Sequence, residues 1–185
     1  MQGFTRGIFL KGIIASLWEF SDPREIPVDN VFILNSTLTS LPEEIKSCHE
    51  AGKRVFVHLD FVEGLSEGRA AIEYLKSIGA DGLISVKLSN YHHARKVGIP
   101  LVLRVFALDS KAVEKAYQQV KANGVEMVEI LPGCASLKVG PTFKELGINV
   151  ITGGLVTTPQ EARKILKVVD AISTTTRELW VKGKI

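Results

Sequence analysis

The chain has 185 residues, of which 45% are hydrophobic and 23% charged, and its formal net charge is +3. This composition is typical of a globular domain and excludes a disordered chain. So weak a positive charge neither identifies nor excludes a nucleic-acid-binding protein. No apolar run approaches the roughly 18 residues that span a bilayer, and no segment has the pattern of a secretory signal. Cys48 and Cys134 lack metal-ligand spacing and are interpreted as free thiols. We therefore expect one cytoplasmic domain over residues 1–185, without a metal or cofactor.

Short apolar, β-branched runs alternate with amphipathic segments along the chain. The runs predict strands at Gly12–Ala15, Val31–Leu34, Arg54–Phe61, Asp81–Val86, Pro100–Leu108, Val125–Leu131, Asn149–Thr152 and Ala171–Thr174. The amphipathic segments predict helices at Pro42–Ala51, Gly68–Ile78, Tyr91–Lys96, Ser110–Ala122, Thr142–Leu146 and Pro159–Val168. Several of these segments end in a glycine, which is a common signal for a helix terminus.

The repeated alternation of strand and helix indicates a parallel sheet whose two faces are both covered. A closed barrel and an open doubly wound sheet both fit this pattern. We predict a small α/β barrel of the (β/α)8 TIM type, although such barrels usually have at least roughly 200 residues. The segment Ser16–Asn30 contains Pro23 and Pro27 and has no helical period. The first helix is therefore predicted to be trimmed or missing.

Ionisable residues recur on one face of several predicted strands, near the strand ends. Alternate residues share a face, which groups Phe56 with His58 and Asp60, Leu83 with Ser85 and Lys87, Val102 with Arg104 and Phe106, and Met127 with Glu129 and Leu131. Buried charge is unfavourable unless it is paired or liganded. A purely structural ion-pair network is the alternative. We predict a polar ring at the carboxyl-terminal mouth of the barrel, where such folds place their sites; its members are His58, Asp60, Lys87, Arg104 and Glu129.

A second signal lies in the last two strand–helix units. Gly153 and Gly154 follow the seventh predicted strand, and Thr174 and Thr175 end the eighth. Loops after strands seven and eight commonly hold a phosphate in these barrels. Glycines let backbone N–H groups approach an anion, and hydroxyls add donors. A pair of glycines is more often a simple turn, but together the four residues predict a phosphate site.

Six segments occur in a characteristic order along the chain. They are Val55–Ser66 (VFVHLDFVEGLS), Asp81–Lys87 (DGLISVK), Arg104–Ser110 (RVFALDS), Val128–Gly133 (VEILPG), Gly153–Leu155 (GGL) and Ser173–Trp180 (STTTRELW). Together they resemble the glycerol-3-phosphate-responsive antiterminator family. The resemblance covers most of the chain from about Val31 onward. It departs where the family tends to place a basic residue after the first strand, since this chain has Ala15-Ser16-Leu17-Trp18 there.

The resemblance implies a regulator that binds glycerol 3-phosphate and the leader mRNA of a glycerol-uptake operon, with a homo-oligomer possible. Tyr91, His92, Arg95 and Lys96 are candidate RNA contacts because aromatic rings stack on bases and cations pair with phosphates. An ordinary solvated helix face is the alternative for this run. Two further basic groups are weaker candidates: Arg163 with Lys164 and Lys167, and Arg177 with Lys182 and Lys184.

A phosphate-binding barrel enzyme is the alternative function. A sugar- or triose-phosphate isomerase or lyase would use Asp60 or Glu129 as a base and Lys87 or Arg104 as an electrophile. The sequence contains no P-loop, HExxH or GxSxG motif. Because no catalytic constellation is present in the pattern, we predict no catalytic residues.

Overall fold

The computed structural model describes residues 8–183 and forms a closed barrel of eight parallel strands. Each strand pairs in parallel with the next along the chain, and the first pairs with the last. This arrangement confirms the small barrel and excludes the open sheet. The barrel strands are β1 (Gly12–Leu17), β2 (Asn30–Ile33), β3 (Arg54–His58), β4 (Gly82–Ser85), β5 (Leu101–Phe106), β6 (Met127–Leu131), β7 (Asn149–Gly153) and β8 (Ala171–Thr174).

Six α-helices follow strands β2 to β7. They are α1 (Leu41–Glu50), α2 (Arg69–Ser77), α3 (Leu88–Val97), α4 (Ser110–Asn123), α5 (Ser136–Lys144) and α6 (Pro159–Ile165). Strands β1 and β8 are each followed by one 3-10 turn, at Pro23–Glu25 and Arg177–Leu179. The predicted loss of the first helix is confirmed. None of the helices within residues 8–183 has the length and hydropathy needed to cross a membrane.

Helix α5 begins earlier than its sequence pattern indicates. It starts at Ser136 and not at Thr142, and it contains Gly140 and Pro141. A Cβ at Gly140 would lie 3.0 Å from Val169 Cγ1, so the glycine allows close packing. A two-residue parallel pair, Ser36–Thr37 with Val62–Glu63, also lies outside the barrel and was not predicted.

The core has two parts, one on each face of the barrel sheet. The outer part lies between strands and helices, and Leu83 belongs to it. The inner part fills the barrel with apolar side chains that include Ile14, Phe56 and Val102. Ile84, and not Leu83, belongs to the inner part. The predicted orientation of β4 is therefore wrong, and the face carrying Ser85 and Lys87 is not the one that lines the barrel.

Candidate functional site

A polar layer closes the barrel interior at its carboxyl-terminal end. In barrels of this type the strand stagger groups inward side chains into layers drawn from alternate strands. The register places Ser16 of β1, His58 of β3, Arg104 of β5 and Gly153 of β7 in one such layer. The next layer from the same strands, towards the amino-terminal end, is apolar and consists of Ile14, Phe56, Val102 and Ile151.

A buried ion pair lies on one side of this layer. Arg104 Nε donates to Glu129 Oε2 at 2.6 Å, and the Glu129 side chain is fully buried. Ser173 Oγ donates to the other carboxylate oxygen of Glu129. A Cβ at Gly153 would lie 2.2 Å from Ser173 Oγ and 3.0 Å from Glu129 Oε1. The missing side chain at Gly153 therefore makes room for the Glu129–Ser173 contact.

His58 and Ser16, on the other side of the layer, have no hydrogen-bond partner. Both ring nitrogens of His58 and the Ser16 hydroxyl are buried and unpaired. Burial, and next the charge of Arg104, lowers the pKa of His58 to about 3, so the ring is neutral at physiological pH. Its Nδ1 lies 3.9 Å from Asp60 Oδ2, which is too long for a hydrogen bond and is not an ion pair while the ring is neutral. These atoms can donate to or accept from a ligand.

Asp60 belongs to a hydrogen-bond network at the ends of β3 and β4. It lies in the 3-10 turn Leu59–Phe61 and accepts from Ser85 Oγ at 2.9 Å and from the backbone N–H of Val86 at 2.8 Å. The side-chain amide of Asn90 in α3 donates to Ser85 Oγ at 3.0 Å. The sequence pattern did not predict that Asn90 belongs to this network.

Lys87 lies outside the ring in which it was predicted. It precedes α3, its side chain is 40% exposed, and its ammonium group contacts Glu67. The structure thus brings His58, Arg104 and Glu129 together in the barrel interior, with Asp60 at the rim. Lys87 does not join them because β4 ends at Ser85 and the chain then turns away.

The four predicted phosphate residues differ in their surroundings. Gly154 is exposed with φ +74°, and Thr175 is exposed directly after the strand that carries Ser173. Thr174 is buried, and its hydroxyl donates to the Val156 carbonyl at 3.2 Å. The hydroxyl of Thr174 therefore stabilises the loop after β7, and it is not directed at the mouth. Gly154 and Thr175 remain accessible to an anion.

Exposed apolar side chains surround the polar layer. Trp18 and Phe61 are about half exposed, and their ring centroids lie 5.9 Å apart. Phe61 also lies 4.6 Å from the His58 ring. Other large exposed apolar residues on loops or strand ends at the mouth are Val86, Phe106, Leu108 and Leu155. This apolar rim was not predicted from the sequence, because only the ionisable groups at the strand ends indicated a site.

The candidate RNA contacts on α3 are divided between the core and the surface. Tyr91 is buried and its hydroxyl donates to the Gly124 carbonyl at 2.8 Å, so its ring is not available for stacking. His92, Arg95 and Lys96 are exposed. In the other basic groups, Arg163, Lys164 and Lys167 are exposed, Arg177 lies over the Trp180 ring, and Lys182 pairs with Asp29, whereas Lys184 falls outside the described residues.

Comparisons with known proteins identify the family. The family model for the glycerol-3-phosphate responsive antiterminator matches residues 13–180. A glycerol uptake operon antiterminator-related protein from Thermotoga maritima MSB8 has a crystal structure with 51% identity and a TM-score of 0.88; the match covers 94% of this chain and 99% of that one. The corresponding antiterminator regulatory protein of Listeria monocytogenes shares 27% identity with a TM-score of 0.84, over 91% and 94% of the two chains.

A curated relative from Escherichia coli K12, the uncharacterized protein YgcP, is 33% identical over 156 residues, which are 83% of this chain and 82% of that protein. The family match spans nearly the whole barrel, from within β1 to the 3-10 turn after β8. The chain therefore belongs to the glycerol-3-phosphate responsive antiterminator family.

Proposed function

We propose that this protein is a cytoplasmic RNA-binding antiterminator of a glycerol-uptake operon. Glycerol 3-phosphate binds at the barrel mouth and raises the affinity for the leader mRNA. The observation that carries this proposal is the polar layer, which combines a buried guanidinium with unpaired polar atoms in a member of this family. The protein acts as a regulator without a cofactor or catalytic residue.

The phosphate of the effector binds on the side of the mouth formed by β5 to β8. Among the described residues, Arg104 donates only from Nε, to Glu129, which leaves its terminal nitrogens for a second acceptor. Guanidinium groups bind phosphate through such paired donors. Gly154 and Thr175 lie at the ends of the neighbouring strands and supply further donors. Glu129 neutralises the Arg104 charge in the apo protein and holds the side chain in position.

The two carboxylates that an enzyme of this fold would use as bases are already engaged. Asp60 accepts from Ser85 and Val86, and Glu129 accepts from Arg104 and Ser173. His58 has no hydrogen-bond partner, but a pKa of about 3 makes it far too weak a base for proton abstraction near neutral pH. This arrangement favours ligand binding over catalysis.

Helix α3 supplies a physical connection between the effector site and an exposed basic surface. Its first turn contains Asn90, which bonds to Ser85 and approaches Asp60 at the mouth. Its later turns expose His92, Arg95 and Lys96. A ligand that rearranges the Asp60 network would move or stiffen α3, and RNA bound to α3 would be sensitive to that change.

The test is a fluorescence-anisotropy titration of the leader RNA with and without glycerol 3-phosphate. Coupling of about 1–3 kcal/mol would tighten RNA binding roughly 5- to 150-fold. Affinity should fall steeply with salt because neutralised phosphates release counterions. Lys96→Ala should weaken RNA binding without changing effector affinity, and Lys121→Ala on α4 serves as the matched lysine control. Equal RNA affinity with and without the effector would contradict the proposal.

A further inference from the structure

We propose that Ser16 and His58 form the hydroxyl-binding half of the mouth and set its preference for a polyol phosphate over a plain alkyl phosphate. This inference rests on the proposed function, because it assumes that a phosphate ester binds in the mouth. It assigns two residues to the uncharged end of the ligand, opposite the Arg104 side.

The proposal is based mainly on polar atoms in the barrel interior that have no hydrogen-bond partner. Buried polar groups in folded proteins are nearly always hydrogen-bonded. Within the polar layer and its contacts, Glu129 accepts from Arg104 Nε with one carboxylate oxygen and from Ser173 Oγ with the other. The hydroxyl of Ser16 and both ring nitrogens of His58 are buried without a partner, although Ser16 is only 5% and His58 only 1% exposed. A ligand hydroxyl would satisfy them.

The other buried unpaired side-chain atoms in the described part of the chain lie elsewhere. They are Ser21 Oγ, in the loop after β1, and Asn30 Oδ1, at the amino-terminal start of β2. Neither belongs to the layer that closes the barrel. Within the described residues, the fully buried unpaired side-chain atoms inside the barrel are therefore confined to its β1–β3 side.

The chemistry of the two side chains matches hydroxyl groups and not a second anion. A neutral imidazole has one donor and one acceptor, and a serine hydroxyl both donates and accepts. A hydroxyl group of the ligand likewise donates and accepts. The β1–β3 side of the layer carries no positive side chain, whereas Arg104 lies on the β5–β8 side. A ligand with a phosphate at one end and hydroxyls at the other fits this division of charge.

Aromatic packing holds the histidine ring in place. Phe61 lies against His58 with a centroid distance of 4.6 Å, and Trp18 lies against Phe61. Both aromatic rings are partly exposed, so they separate the imidazole from bulk solvent without closing the mouth. The ring nitrogens are thus positioned before the ligand arrives, which lowers the ordering cost of binding.

The experiment compares sn-glycerol 3-phosphate with n-propyl phosphate, which lacks the hydroxyls, by isothermal titration calorimetry. The wild type should bind the glycerol ester at least about tenfold more tightly than propyl phosphate. An analogue without hydroxyls leaves the polar atoms of the site without hydrogen-bond partners. In Ser16→Ala and His58→Phe this preference should fall towards equality, with the affinity for propyl phosphate unchanged. Ser136→Ala is the matched control, because Ser136 is another buried serine that does not belong to the polar layer, and its hydroxyl already bonds to the Gly133 carbonyl.

Thermal unfolding without ligand provides the second readout. Ser16→Ala should retain wild-type stability because it removes an unpaired group, whereas Ser136→Ala should lose stability. If His58→Phe fails to fold, Ser16→Ala still decides the question. A variant of Ser16 that weakens both esters equally, or that loses stability without a change in preference, would overturn the inference alone. Failure of the wild type to bind either ester would overturn the effector half of the proposed function as well.

Discussion

The two ends of the barrel treat buried polar groups differently. At the amino-terminal end, Asn149 bonds to both the N–H and the carbonyl of Leu10, at 2.8 and 3.0 Å. Asp170 there accepts from Lys144 Nζ and from the backbone N–H of Val150. At the carboxyl-terminal mouth, Ser16 and His58 remain unpaired. The network of Asn149 and Asp170 is complete and serves stability, whereas the polar layer at the mouth keeps hydrogen-bonding capacity for a ligand.

The largest expected effect comes from breaking the complete network. Asn149→Ala should lower the free energy of unfolding by about 2–4 kcal/mol, because it leaves the buried polar groups of Leu10 unpaired. Affinity for glycerol 3-phosphate should not change. Urea denaturation measures the free energy of unfolding, and calorimetric titration measures the affinity for glycerol 3-phosphate.

Asn30→Ala is the matched control for that experiment. Asn30 is the first residue of β2, as Asn149 is of β7, but its side-chain oxygen is unpaired. Asn30→Ala should lower the free energy of unfolding by less than about 1 kcal/mol. Equal losses in the two variants would contradict the distinction between a paired and an unpaired amide.

The unpaired histidine should give stability a specific pH dependence. In the folded state the pKa of His58 is about 3, against an ordinary value of 6.5, so only the unfolded chain takes up this proton in between. Stability should therefore fall as the pH decreases from about 6.5 towards about 3, with a slope of up to about 1.4 kcal/mol per pH unit from this group.

Urea denaturation of the wild type and of His58→Phe over this pH range isolates that contribution. Other groups titrate in both proteins, so the difference between their two curves reports on His58. The free energy of unfolding of the variant should depend less steeply on pH, by an amount that corresponds to the uptake of up to one proton. Parallel curves would mean that the folded protein protonates His58 readily, and that the imidazole is not held neutral by burial.

A smaller effect on stability than that of Asn149→Ala is expected from a glycine at the mouth. Gly154→Ala should lower the free energy of unfolding by about 1 kcal/mol, because Gly154 has a φ of +74°, at which alanine is strained. It should also weaken glycerol 3-phosphate binding by about tenfold by blocking the approach of the anion to the backbone. Calorimetric titration gives the affinity, and thermal unfolding gives the stability.

Gly147→Ala provides the same backbone strain away from the mouth. Gly147 follows α5 with a φ of +71°, and an added Cβ would meet nothing within 4 Å. This variant should lose similar stability and keep wild-type affinity. If both glycine variants bind the effector equally well, the phosphate does not lie against Gly154.

The fold could be predicted from local patterns because alternation of strand and helix is a local property. Pro23 and Pro27 also indicated correctly that the first helix is missing. The start of α5 was mispredicted because Gly140 and Pro141 are tolerated inside that helix by its packing. The orientation of β4 was mispredicted because face assignment was counted from Lys87, which lies beyond the end of the strand.

The site was only partly predictable because it depends on contacts between distant strands. Arg104 and Glu129 could be identified as buried charges on neighbouring strands, and the structure pairs them. Ser16 was missed because β1 was expected to end at Ala15, one residue too early for it to face the interior. The contact of Trp18 with Phe61 joins the loops after β1 and β3, and no local pattern encodes it.

A crystal structure of the protein with glycerol 3-phosphate would show where the effector binds. We expect the ligand to occupy the mouth, with its phosphate within hydrogen-bond distance of the Arg104 guanidinium and a hydroxyl on Ser16 or His58. A cleft at the amino-terminal end, where Lys53 and Arg54 lie beside Asp29 and Asp81, is the alternative location for an anion. Ligand density in that cleft, with the mouth unoccupied at saturating ligand, would contradict the account.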